Sequence, residues 1–134
     1  MKVTRGLKSF SLYRVRKDLE VFIIDLQLAG VELRKSTSRY SGYFRLLSRL
    51  VKEYGFKLDG LENIDYVCRT QSQEGKPRTT FLLRVYLSPQ GKAEYVAIAS
   101  FRPRSLRAVE EKLLSSGWKR LFHIGILVEK VRPA

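Results

Sequence analysis

Hydrophobic and polar residues alternate along Ile64–Thr70 (IDYVCRT), setting Ile64, Tyr66 and Cys68 against Asp65, Val67 and Arg69. Thr80–Leu87 (TFLLRVYL) repeats the pattern, with Phe81, Leu83, Val85 and Leu87 on one side and Thr80, Arg84 and Tyr86 on the other. Ala93–Phe101 (AEYVAIASF) is β-branched and aromatic without a helical stripe. Period two and these residue types predict three strands. Ser88-Pro89-Gln90-Gly91 predicts a tight turn between the last two, because proline presets φ and glycine closes the turn. A polar loop, Gln71–Thr79, joins the first two. The result is an antiparallel meander over about 64–101.

Helical periodicity appears on either side of the meander. Phe44, Leu47 and Val51, flanked by Tyr43, Leu50 and Tyr54, share a face between Ser41 and Tyr54. Ser38 or Ser41 is the expected N-cap and Gly55 the expected C′ residue. A second helix is expected over about 105–116, capped by Ser105 and burying Leu106, Val109 and Leu113, with Leu114 as a further candidate. Phe122–Val131 (FHIGILVEKV) is apolar on both faces for most of its length, which predicts an interior strand. Phe10–Arg16 reads as a strand. Leu19–Leu33 fits both periods; its β-branched residues and the Ala29-Gly30 break favour a strand, or a hairpin with Phe10–Arg16. These elements predict a single α+β domain over 1–134, a mostly antiparallel sheet with both helices packed on one face.

Composition adds constraints. With 134 residues, 44% hydrophobic and 29% charged, the chain can bury one substantial core. No apolar stretch approaches the length of a membrane span or a signal peptide, so no membrane partner is expected and a cytoplasmic location is. The lone Cys68 forms no internal disulfide, which agrees with a reducing compartment.

Charge changes the picture most. Twenty-six Lys and Arg against thirteen Asp and Glu leave a net charge of +13. Such an excess suits a polyanion, because clustered cations release the counterions condensed on a nucleic acid. Residues 1–17 contain no carboxylate, and a basic, mobile tip is expected over 1–6. Candidate nucleic-acid-binding residues fall in four groups. Arg34, Lys35 and Arg39 precede the first helix, and Arg45, Arg49 and Lys52 recur on it at i, i+4 and i+7. Lys76 and Arg78 lie in the meander loop, and Arg102, Arg104 and Arg107 lead into the second helix. Arginine predominates, and its planar fork suits phosphate oxygens. Any one of these cations is most simply a solvated surface charge, so the weight rests on the set. Tyr40, Tyr43, Tyr86, Tyr95 and Phe101 are candidate stacking residues, with core packing as the plainer reading.

No enzymatic constellation emerges. His123 is the only histidine and lies in an apolar stretch, which suits a structural residue better than a base. One Cys and one His make no zinc set, and neither a Walker loop nor GxGxxG is present. No cofactor or metal is expected. The expected function is therefore non-catalytic, phosphate-dominated and weakly sequence-specific nucleic-acid binding, with RNA slightly favoured over DNA. The alternative is an assembly module that meets an acidic partner through its basic surface, or pairs into a homodimer through a sheet edge or the Leu26–Leu28 region. A third reading, a small metal-dependent nuclease, takes Asp65 with Glu74 and Lys76 as a carboxylate–lysine set.

The order helix (Ser41–Tyr54), three-strand meander, helix (Leu106–Ser116) resembles that of double-stranded-RNA-binding domains, as does the Gly75-Lys76-Pro77-Arg78 loop followed by Phe81. The resemblance implies recognition of A-form duplex shape, with cations of the second helix on phosphates. The sequence departs from that family at Arg102-Pro103-Arg104-Ser105-Leu106-Arg107, where the family carries a lysine cluster.

Overall fold

A computed structural model describes residues 6–71 and 78–125. The elements are β1 (Ser9–Asp18), α1 (Leu19–Leu28), β2 (Val31–Lys35), a 3-10 turn (Ser38–Tyr40), α2 (Ser41–Glu53), β3 (Glu62–Thr70), β4 (Thr80–Leu87), β5 (Lys92–Ser100), α3 (Pro103–Ser115) and β6 (Lys119–Ile124). The six strands form one antiparallel sheet in the order β2-β3-β4-β5-β1-β6. The α+β class and the meander are as the sequence predicts. Tyr66 pairs with Leu83 and Val85 with Val96, and Gly91, at φ +81°, closes the β4–β5 turn through Ser88 N–H to Lys92 O at 2.9 Å.

The two expected helices, α2 and α3, do not share a face. Phe81, Leu83 and Val85 of β4 pack with Phe22 and Leu26 of α1 and with Leu106, Val109 and Leu113 of α3. Leu82 and Tyr86, which alternation points the other way, pack with Phe44, Leu46, Leu47, Leu50 and Val51 of α2. The molecule is thus helix, sheet, helix in three layers. The sequence pattern concealed this because β4 and β5 are buried on both faces, so neither offers a polar side to show where coverage ends.

Leu19–Leu28 is a helix and not the strand its composition favours. Helical spacing puts Phe22, Asp25 and Leu26 together on the buried side. Asp25 Oδ2 accepts from Lys17 Nζ at 2.6 Å and from the Trp118 indole N–H at 2.8 Å. A carboxylate buried at this depth is tolerable only with such partners, and one of them lies 93 residues away.

Helix ends follow glycine rather than serine. At α2, Gly55 (φ +82°) donates to Lys52 O and Phe56 N–H to Val51 O, at 3.0 and 3.1 Å; Gly117 and Trp118 repeat the arrangement after α3. The expected serine caps are not used. The residues preceding α2 and α3 are Tyr40 and Arg102, and neither side chain caps its helix. Pro103 starts α3 earlier than Ser105 would, because its fixed φ suits the first turn.

Among the described residues β6 is an edge strand, not an interior one. Its apolar side chains are covered from one face. Phe122 meets Phe10, Tyr54 and Phe56 at centroid separations of 6.0, 4.3 and 6.1 Å. The remainder of the predicted last strand, and the expected mobile tip apart from Gly6, lie outside the described residues.

Candidate nucleic-acid interface

Three chain segments meet at one end of the sheet. The approach to α2 brings Arg39, Tyr40 and Tyr43, the start of β4 brings Arg78, Thr79 and Thr80, and the exit from β5 brings Phe101 and Arg102. Phe81 pairs with Ser100, so the segments that open β4 and leave β5 are held side by side by the sheet ladder. Together they line a cleft of about 550 Å³. Its aromatic wall is continuous: Tyr43 stands edge-on to Phe101 at 5.4 Å between centroids and lies 6.3 Å from Tyr40. The Arg39 guanidinium sits 5.7 Å from the Tyr40 ring centre, in cation–π range. Both α2 and α3 start at this cleft, so the positive ends of two helix dipoles add to its arginines.

Not every cation at the cleft is equally available. Arg78 donates to Glu32 Oε2 and, from Nε, to Thr70 O at 3.4 Å. Arg39 and Arg102 are exposed. Thr79 is 2% exposed; its N–H donates to Thr70 Oγ1 at 2.8 Å, while its own hydroxyl finds no hydrogen-bond partner among the described residues.

The remaining candidates separate into distinct places. Arg45, Arg49 and Lys52 are exposed along α2, as the helical spacing predicts, and Lys52 reaches a second hollow beside Ser48, Asn63 and Arg84. Arg34 lies with Glu32, Val67 and Arg69 on the sheet near its β2 edge, and alternation points Lys35 to the opposite side. Arg104 and Arg107 line a groove between α3 and β6 together with Glu110, Glu111, Arg120 and His123. Two carboxylates in that groove offset its arginines, which makes it a mixed-charge surface. The arginine-bearing segments therefore do not form one uniform face. Lys76 lies outside the described residues.

Sequence reasoning missed two residues here. Arg69 adds to the cations around Arg34, and its alternation with Asp65 and Val67 was the available signal. Thr79 carried no signal, because only its tertiary setting leaves the hydroxyl unsatisfied. Of the candidate stacking residues, Tyr40, Tyr43 and Phe101 reach the cleft, whereas Tyr86 is 7% exposed and belongs to the core beneath α2.

Other ionisable groups are tied into structure. Arg84 gives its Nε to Asp65 Oδ1 at 2.6 Å, one NH2 to Asp65 Oδ2 at 2.9 Å and the other to Ser48 Oγ. Burial alone would weaken the Arg84 charge, but the Asp65 carboxylate outweighs it and holds the guanidinium more firmly protonated than usual. Asp65 is thereby committed to Arg84 as a structural partner, and Glu74, with Lys76, is outside the described residues. His123 lies at the exposed β6 edge, with Nδ1 2.7 Å from Ser11 Oγ. Partial burial and then the Arg120 charge lower its pKa. Among the described residues no three His, Cys, Asp or Glu side chains group as metal ligands, and no helix is long and apolar enough to cross a membrane.

Compared with protein-family models, curated proteins and solved structures, the chain matches none. The order α2, β3, β4, β5, α3 does follow that of the double-stranded-RNA-binding domains. However, α2 and α3 lie on opposite faces of a six-stranded sheet.

Proposed function

We propose that this is a non-catalytic nucleic-acid-binding protein whose contacts are mainly to phosphate and only weakly sequence-specific. The observation that carries the reading is the convergence of Arg39, Arg78 and Arg102 on one cleft, beside a helix exposing Arg45, Arg49 and Lys52, in a chain of net charge +13. Cations from separate segments that the fold brings together suit a phosphate backbone better than scattered charges do. A cytoplasmic location and RNA as the more frequent ligand remain part of the proposal. A salt titration of binding to labelled duplex and single-stranded RNA and DNA tests it. Affinity falls linearly on a log–log salt plot, and Arg39→Ala with Arg102→Ala reduces the slope by about 1 to 2. Arg104→Ala with Arg107→Ala changes it less, because Glu110 and Glu111 already offset that groove. Absence of binding at low salt to all four ligands rejects the reading.

A second reading, self-association, draws on α1. Val21, Ile24 and Leu28 are 42, 49 and 75% exposed, and residues 18–33 contain no Lys or Arg. That is a surface where two highly basic chains can meet without opposing their cations. Light scattering across a concentration series tests this. A dimer that Leu28→Glu dissociates supports the reading, and a monomer throughout rejects it.

A further inference from the structure

Phosphate binding accounts for the arginines of the cleft but not for its aromatic wall or for the buried hydroxyl beside it. Continuous duplex presents phosphates and groove edges, while its base faces are already stacked on one another. An unpaired nucleotide presents a phosphate and a free base face together. The cleft holds a matching pair of features. Tyr40, Tyr43 and Phe101 form an apolar wall of aromatic rings, and Arg39 and Arg102 are exposed beside it. Its volume of about 550 Å³ falls within the range of sites for small ligands. Thr79, nearly fully buried, lines the same cleft, and its hydroxyl has no hydrogen-bond partner among the described residues.

We propose that the cleft receives one unpaired nucleotide, its base against the Tyr40–Tyr43 wall and its phosphate between Arg39 and Arg102. The protein then prefers nucleic acid with an unpaired end or bulge over uninterrupted duplex. This rests on the nucleic-acid reading above and specifies which structure the same surface selects. The test compares three labelled probes at one salt concentration by fluorescence anisotropy: a blunt duplex, the same duplex with one overhanging nucleotide, and that overhang made abasic. The overhang binds about tenfold more tightly than the blunt duplex, and the abasic probe loses most of that gain, since stacking one base supplies a factor of this order. Tyr40→Leu removes the preference, read as the ratio of overhang to blunt-duplex affinity, because the base loses its stacking surface. Arg102→Ala weakens the overhang more than the blunt probe. Equal affinity of the wild type for all three probes overturns the nucleotide pocket and leaves the general reading standing. An abasic overhang as good as the intact one also overturns it, by showing that only the extra phosphate counts. Failure of every probe to bind at low salt rejects the general reading, and the pocket with it. The probe comparison uses the wild-type chain alone, so a variant that fails to fold does not spare the proposal.

Discussion

Tyr40 and Arg102 hold equivalent positions, each preceding a helix, and both line one cleft although α2 and α3 lie on opposite faces of the sheet. The cleft sits where the sheet ends, so elements from both layers reach it. A surface confined to one face would have drawn on only one of these two helices. The arrangement separates the proposed binding residues, at the rim, from the buried ion pairs that tie the layers together, and the two sets are separable by mutation.

Glu32→Gln tests whether Arg78 serves the cleft or the fold. Glu32 accepts a hydrogen bond from Arg78, and both side chains are substantially exposed, at 50 and 40%. An exposed pair of this kind contributes under about 1 kcal/mol to stability. Neutralising Glu32 releases Arg78 to a phosphate, so affinity for duplex RNA rises about two- to threefold at moderate salt, with a steeper salt dependence. Thermal stability changes little. Unchanged or weaker binding would show that Arg78 does not contact the ligand.

Arg84→Met should have the opposite profile. Asp65 and Ser48 both lose their partner, in a site where the Arg84 and Asp65 side chains are 10 and 23% exposed. Leaving one member of such a pair costs about 2 to 3 kcal/mol, somewhat below the figure for a fully buried pair because Asp65 keeps some water. The urea midpoint falls with an unchanged m-value. Asp65→Asn added to Arg84→Met recovers part of the loss. Nucleic-acid affinity measured below the transition stays the same. A destabilisation below about 0.5 kcal/mol contradicts the account.

Stability should decline in alkali. The Tyr13 hydroxyl donates to Glu110 beneath α3, and burial, reinforced by that carboxylate, raises its pKa above the ordinary 10.0. Burial alone raises that of Cys68 above 9.0. Both groups are neutral when protonated. A folded pKa above the unfolded one means that the unfolded chain gives up its proton first, so the stabilisation is complete below the unfolded value and is lost as pH climbs beyond it. The decline begins near pH 9 with Cys68 and steepens near 10 with Tyr13. Each group adds up to about 1.4 kcal/mol per pH unit. Tyr13→Phe keeps the ring against Trp118, at 5.9 Å, and leaves Glu110 its Arg120 contact at 3.3 Å. The variant is therefore less stable at neutral pH but falls more gently above pH 10. Equal slopes for the two proteins, in denaturant midpoints measured across alkaline pH, would remove Tyr13 from the explanation.

What the sequence determined by itself was local. Residue pattern predicted the meander over about 64–101, which the structure has as Glu62–Ser100, and apolar spacing predicted α2; glycines at 55 and 117 marked where helices stop. These signals are carried by neighbours a few residues apart, and each element would be chosen by its own propensities. The tertiary structure decided the rest. Leu19–Leu28 satisfies both periods, and the helical choice carries the contact from Asp25 to Trp118, far along the chain. The doubly buried central strands concealed which face each helix covers. The grouping of the arginines followed from the same cause. Their number set the net charge, but charge has no periodicity that encodes position across a sheet. Only the pairing of β4 with β5, and the start of α2 and α3 at one end of that pair, brought Arg39, Arg78 and Arg102 together and sent Arg104 and Arg107 elsewhere.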